Sequence, residues 1–178
     1  MGAPELLVIG VGNTYRRDDG AGPAAARRLC EAAGAAASLC EATGEGTALI
    51  EAWAGAGTVV LIDAVSSGAP PGAIRRIDAG ATAVPSEWFR GSTHAFGVAE
   101  AIELARTLGR LPDRLIVLGI EGARFDAGIG LSPEVAAAVE AAAQMGLAEL
   151  TDRLGGGRGA AEGSAPNAAR RRGRAAGG

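Results

Sequence analysis

Apolar runs of five or six residues recur along the chain, separated by glycine-rich polar loops and by alanine-rich stretches of helical period. Glu5-Leu6-Leu7-Val8-Ile9, stopped by Gly10, reads as a buried strand. Ala21 to Ala33 follows as a helix, with Leu29 and Cys30 on a helical period, Pro23 in its first turn and Asp18 or Asp19 available as caps. Ala37 to Ala42 predicts a second strand and Thr47 to Ala54 a short helix. Thr58-Val59-Val60-Leu61-Ile62-Asp63 is the strongest strand signal, β-branched and apolar until it ends on a carboxylate. Gly72 to Asp78 predicts a shorter, more exposed strand, His94 to Leu108 a helix, and Arg114 to Ile120 another central strand. Ser132-Pro133-Glu134 opens the last helix, with Ser132 as N-cap, and it runs to about Leu154.

Strands alternating with helices imply an α/β fold: a single domain with a mainly parallel, doubly wound sheet and helices on both faces. A domain of about 150 residues buries roughly 70% of its unfolded surface, so the length supports one core. Only 3% of residues are aromatic. Interior packing is therefore expected to be aliphatic, with Trp53, Trp88, Phe89, Phe96 and Phe125 as the few large fillers.

Charge divides the chain. Residues 1–155 carry 12 arginines against 19 acids, whereas residues 156–178 carry five arginines against one. The acidic body is expected to fold, and the basic Gly/Ala/Arg-rich tail, with Arg170-Arg171-Arg172, to be disordered, because it has too few apolar groups to offset its ordering entropy. No apolar run approaches the roughly 20 residues of a membrane span, and the N-terminus lacks a signal-peptide pattern, so a cytoplasmic protein without membrane contact is expected. Met1-Gly2 is not a myristoylation signal, since Leu6 stands where Ser or Thr is needed. Two cysteines, Cys30 and Cys40, are too few for a thiolate metal cage and read as core-filling thiols.

Ligands of open α/β sheets bind beyond the carboxyl ends of the strands. That rule selects the loop Gly10-Val11-Gly12-Asn13-Thr14-Tyr15-Arg16-Arg17-Asp18-Asp19-Gly20-Ala21-Gly22, the strand end Asp63-Ala64-Val65, and His94, the sole histidine. Two carboxylates and an imidazole suit a divalent transition metal, and a metal with open positions polarises a peptide carbonyl or acidifies water, which makes hydrolysis the natural reaction. Asp18 and Asp19 lie about 100° apart on a helix, so only one faces the rim well, and spacing does not choose between them. Plainer readings exist: helix-capping acids for Asp18 and Asp19, a loop-amide acceptor for Asp63, a capping-turn residue for His94. Gly10-x-Gly12 also suggests dinucleotide binding, but Tyr15 occupies the third glycine position and two acids stand where phosphate would dock.

Gly10-Val11-Gly12-Asn13, four residues, then Asp18-Asp19-Gly20-Ala21-Gly22 resembles the signature of the hydrogenase maturation proteases. Ile62-Asp63-Ala64, Thr93-His94 and Gly128-Ile129-Gly130-Leu131-Ser132-Pro133-Glu134-Val135 are similar to further segments of that family in the same order. Glu41 with Gly44, Gly46 and Leu49 resembles its acid and glycine-rich segment, where Asp with paired glycines is usual. The resemblance implies an aspartyl-type, metal-assisted endopeptidase that removes the C-terminal extension of a nickel-loaded nickel-iron hydrogenase large-subunit precursor. It further implies Asp19, Asp63 and His94 as catalytic and metal-contacting residues, with nickel brought by the substrate and no nucleic-acid partner. Two other readings are a nickel-holding maturation chaperone and a peptidyl-tRNA hydrolase. The latter needs a histidine soon after Gly-x-Gly-Asn, where this chain has Asp18-Asp19.

Overall fold

The structure is a computed structural model that describes residues 6–89 and 95–156, with side chains as far as Thr151. Five strands form one sheet: β1 (Leu6–Val11), β2 (Ala37–Ala42), β3 (Thr58–Val65), β4 (Ile74–Asp78) and β5 (Arg114–Glu121), in the order β2-β1-β3-β5-β4. The first four in that order are parallel, and β4 joins the β5 edge antiparallel. The helices are α1 (Ala21–Ala33), α2 (Gly46–Ala52), α3 (Val98–Thr107) and α4 (Pro133–Gly156). The expected α/β class and mainly parallel sheet are therefore observed.

Burial on both faces explains why β1, β3 and β5 are continuous apolar runs and not alternating ones. Leu7, Ile9, Val59, Leu61, Leu115 and Val117 pack with Leu49 of α2, Trp53 just after it and Ile102 of α3 on one face. Leu6, Val8, Val60, Ile62, Ile116 and Leu118 pack with Leu29, Val135 and Ala142 from α1 and α4 on the other. Each fully buried aliphatic side chain of this kind contributes about 1.5–3 kcal/mol. Cys30 and Cys40 are free thiols, half-buried against the two cores.

Local details differ from the sequence reading where tertiary contacts intervene. Asp18 and Asp19 do not cap α1: they lie in a 3-10 turn, Arg17–Gly20, and the N-cap of α1 is Gly20 with no side-chain bond. Helix α3 begins at Val98, four residues after the expected His94, because Gly97 ends the preceding loop and its N–H is taken by Glu100 at 3.1 Å. His94 itself lies outside the described residues, as does the tail beyond Gly156. β3 continues two residues past Asp63 because Asp63, Ala64 and Val65 pair with Gly119, Ile120 and Glu121 of an equally long β5. Ser86–Phe89, which lies between the predicted Gly72 to Asp78 strand and His94 to Leu108 helix, forms a further 3-10 turn.

The far end of the sheet is locked by Glu149. Its carboxylate, on α4, is buried and accepts from Arg76 Nε at 2.6 Å on β4 and Arg114 Nη2 at 2.5 Å on β5. Glu149→Ala should cost about 2 kcal/mol, the scale of hydrogen bonds to a charged group. Urea titration should show a lower midpoint at unchanged slope. Among the described residues no helix is long and apolar enough to cross a membrane.

Candidate active site

The chain leaves β1 toward β2 on one side and later returns as β3 on the other, so the carboxyl ends of β1 and β3 form a topological switch point, where open α/β sheets bind ligands. A cleft of about 200 Å³ opens there. Val11, Gly12, Asn13, Arg16 and Asp19 line it from the β1–α1 connection, and Asp63, Ala64 and Ser66 from the end of β3. Trp88, Phe89, Val98 and Phe125 supply its apolar wall.

Two glycines allow this close approach. Gly12 has φ 139°, and a Cβ there would stand 1.9 Å from the Asp19 carbonyl oxygen. A Cβ on Gly22 would lie 2.1 Å from the Val11 carbonyl and 2.5 Å from that of Ile62, so α1 docks onto the ends of β1 and β3 only because this residue has no side chain.

The adjacent acids have opposite fates. Asp18 is fully buried and accepts hydrogen bonds from Ala123 N–H (2.9 Å), Arg124 N–H (2.8 Å), Ser132 N–H (2.6 Å) and the Ser132 hydroxyl (2.8 Å). Its burial acts to raise its pKa, but these bonds outweigh that and hold the carboxyl below its ordinary value. Ser132, expected as an N-cap of α4, thus spends its hydroxyl on Asp18. Asp19 faces the cleft, where its Oδ2 accepts from Asn13 N–H at 3.0 Å and stands 3.9 Å from Arg16 Nη1.

Asp63 is buried at the cleft floor. Burial, and then the charge of Asp19, push its pKa well above the ordinary value, against a smaller opposing effect of the Ala64 N–H. Asp19 is raised too, by burial, with Asn13 and Arg16 pulling the other way. Two carboxyls whose ionisation is disfavoured, by burial at both and by the Asp19 charge at Asp63, stand in one cleft, a setting in which a cation would favour both anions. Among the described residues no group of three His, Cys, Asp or Glu side chains is arranged around a metal position.

The structure thus brings Asp19 and Asp63 to one cleft, whereas Glu41 turns away to Arg27, at 2.8 Å between its Oε2 and Nη2, and Thr43 and Gly44 take its place at the rim. Sequence reasoning missed Asn13, Arg16 and the aromatic wall. Asn13 carried a readable signal, since its Oδ1 accepts from the Tyr15 N–H at 2.9 Å in an Asx turn, as Asn in a loop often does. Trp88 and Phe89 had none, because a 3-10 turn within a Pro/Ala loop leaves no periodicity.

Residues 28–149 match the hydrogenase maturation protease family. The chain belongs to that family. The protease is 29% identical over 154 residues to the hydrogenase expression/formation protein HupD of Thiocapsa roseopersicina, covering 83% of this chain and 68% of HupD. Its fold matches an Escherichia coli endopeptidase solved in solution with a TM-score of 0.69 at 27% identity, over 84% of this chain and 93% of that one. It also matches the [NiFe] hydrogenase maturation protease HybD of Thermococcus kodakarensis with a TM-score of 0.61 at 27% identity, over 84% and 98%. The protease is accordingly an endopeptidase of hydrogenase maturation, and the cleft at the switch point is its candidate active site.

Proposed function

We propose that this endopeptidase removes the C-terminal extension of a nickel-iron hydrogenase large-subunit precursor, and that Asp19, Asp63 and His94 grip nickel that the precursor already carries. The observation that carries this reading is the pair of carboxylates in one cleft, with Asp63 buried beside Asp19 and both disfavoured as anions. Such a pair would favour a divalent ion presented from outside, whose charge would offset the burial that disfavours both anions, with Asp19 and Asp63 as its carboxylate ligands. His94 adds an imidazole, which suits nickel. The sequence has no H-E-x-x-H helix and no thiolate pair with which to retain zinc.

The substrate's nickel then lies against the polar side of the cleft while the chain to be cut runs along the wall of Trp88, Phe89 and Phe125. A carbonyl polarised by the ion, or a water acidified by it, becomes open to hydrolysis. The Asn13 N–H, fixed on Asp19 Oδ2, and Arg16 keep the Asp19 carboxylate aimed into the cleft.

The deciding experiment incubates chelator-stripped enzyme separately with apo and nickel-loaded precursor and follows the large-subunit mass. Only the loaded precursor should lose its C-terminal peptide. Equal cleavage of both would replace metal-based recognition by sequence recognition. Cleavage of neither, restored by adding metal to the enzyme alone, would mean a resident ion, and return of a full-length loaded precursor under all conditions would make the protein a nickel-holding chaperone.

A further inference from the structure

Asp18 is absorbed by none of the chemistry above, yet it is a buried carboxylate whose hydrogen-bond partners all come from one distant loop, residues 123–132 between β5 and α4. That loop is joined to the β1–α1 connection by further bonds: Asp18 N–H to Arg124 O (3.0 Å), Arg17 N–H to Gly128 O (3.0 Å) and Gly128 N–H to Tyr15 O (2.9 Å). Arg17 is held at φ 50°, a conformation costly for a residue with a side chain, which persists only where surrounding contacts over-determine it. The Arg17 guanidinium meets Asp126 at 2.8 Å.

Both halves of this weld touch the cleft. On one side Asp19 follows Asp18 directly and presents its carboxylate to the polar wall. On the other, Phe125 belongs to the apolar wall, and its carbonyl accepts from Arg16 Nη2 at 3.2 Å. We infer that Asp18, through Ser132, is a positioning residue that sets the spacing between the acid wall and the aromatic wall of the cleft, and with it the rate of peptide hydrolysis. This rests on the reading of Asp19 as a site residue.

A carboxylate is required because every partner is a donor. Asn in its place has one acceptor oxygen and an NH₂ that must face an N–H or a hydroxyl, so the loop has to shift. Ser132 contributes both a backbone and a side-chain bond, and Ser132→Ala removes only the latter, leaving three of the four contacts. A misplacement of about 1 Å in groups far from the bond being cut is enough to slow an oriented reaction substantially.

The test measures kcat and KM for the nickel-loaded precursor with Asp18→Asn, Ser132→Ala and the double variant, at a temperature where circular dichroism shows each fully folded. Asp18→Asn should lower kcat by at least about tenfold and Ser132→Ala by about threefold, while the double variant should be no slower than Asp18→Asn alone, since residues acting as a unit are non-additive. Amide exchange provides a second readout: the Asn13 N–H, bonded to Asp19, should exchange faster in Asp18→Asn while core amides of β3 stay unchanged. A purely structural role would lower the melting temperature and leave kcat at the wild-type value. That result, or effects that multiply independently, overturns the inference. Should Asp18→Asn fail to fold, Ser132→Ala alone decides by the same two readouts. Failure of the wild-type enzyme to cut the precursor would count against the proposed function instead, with the exchange of Asn13 still testing the weld.

Discussion

Asp63→Asn is expected to abolish cleavage of the nickel-loaded precursor and, at neutral pH, to make the protein more stable. With Asp63 as a metal ligand, as proposed, its loss should lower kcat/KM by about a thousandfold, equivalent to about 4 kcal/mol. The stability gain has a separate origin. Asp63 is buried at the cleft floor, and burial followed by the neighbouring Asp19 charge raises its folded pKa well above the ordinary 3.8.

A carboxyl whose folded pKa is raised binds its proton more tightly in the native state. Its contribution to stability is therefore fully present below the unfolded pKa and is lost as pH rises through the folded value. Asn has no proton to lose, so the melting temperature of Asp63→Asn relative to wild type should climb from acid to neutral pH. A gain on the order of 1 kcal/mol is expected at the top of that range, as for other relieved functional sites. Thermal melts at several pH values check it. A flat difference across pH would mean that Asp63 is not held as a strained acid, and retained cleavage would remove it from the reaction.

Replacing His94 by Ala should reduce processing by a comparable factor while leaving the far-ultraviolet circular dichroism and the denaturation midpoint close to wild type. His94 is the chain's sole imidazole. Phe89, five residues before it in sequence, and Val98, four after, both line the cleft that holds Asp19 and Asp63. Two carboxylates without a nitrogen ligand form a harder site that favours magnesium or calcium over nickel, so the loss should fall on nickel-dependent cleavage in particular. Precursor mass after a timed incubation, with His94→Ala beside wild type, gives the answer. Wild-type cleavage by the variant would leave Asp19 and Asp63 as a two-acid site.

Much of the fold was legible because hydrophobic periodicity and chain punctuation are local. β1, β3 and β5 announce themselves as apolar β-branched runs, since strands buried on both faces leave no polar alternation, and α1 and α4 by alanine-rich helical stretches. The rule that ligands sit at the carboxyl ends of strands then directed attention to the loop after β1 and to Asp63, and both do line the cleft.

Spacing and periodicity did not contain which of two adjacent acids faces the cleft and which is spent on structure; only the family resemblance pointed to Asp19. Asp18 and Asp19 are chemically identical neighbours. Only the arrival of the 123–132 loop, with three backbone N–H groups and a hydroxyl in need of an acceptor, captures Asp18 and leaves Asp19 to the cleft. The same holds for Glu41, which Arg27 draws off the rim, and for Trp88 and Phe89, which reach the cleft from a non-periodic turn. Segment identity comes from each residue's own solvation and backbone preference, which the sequence states directly. The choice between Asp18 and Asp19 is made by partners 105–114 residues away, and it exists only once the chain has closed on itself.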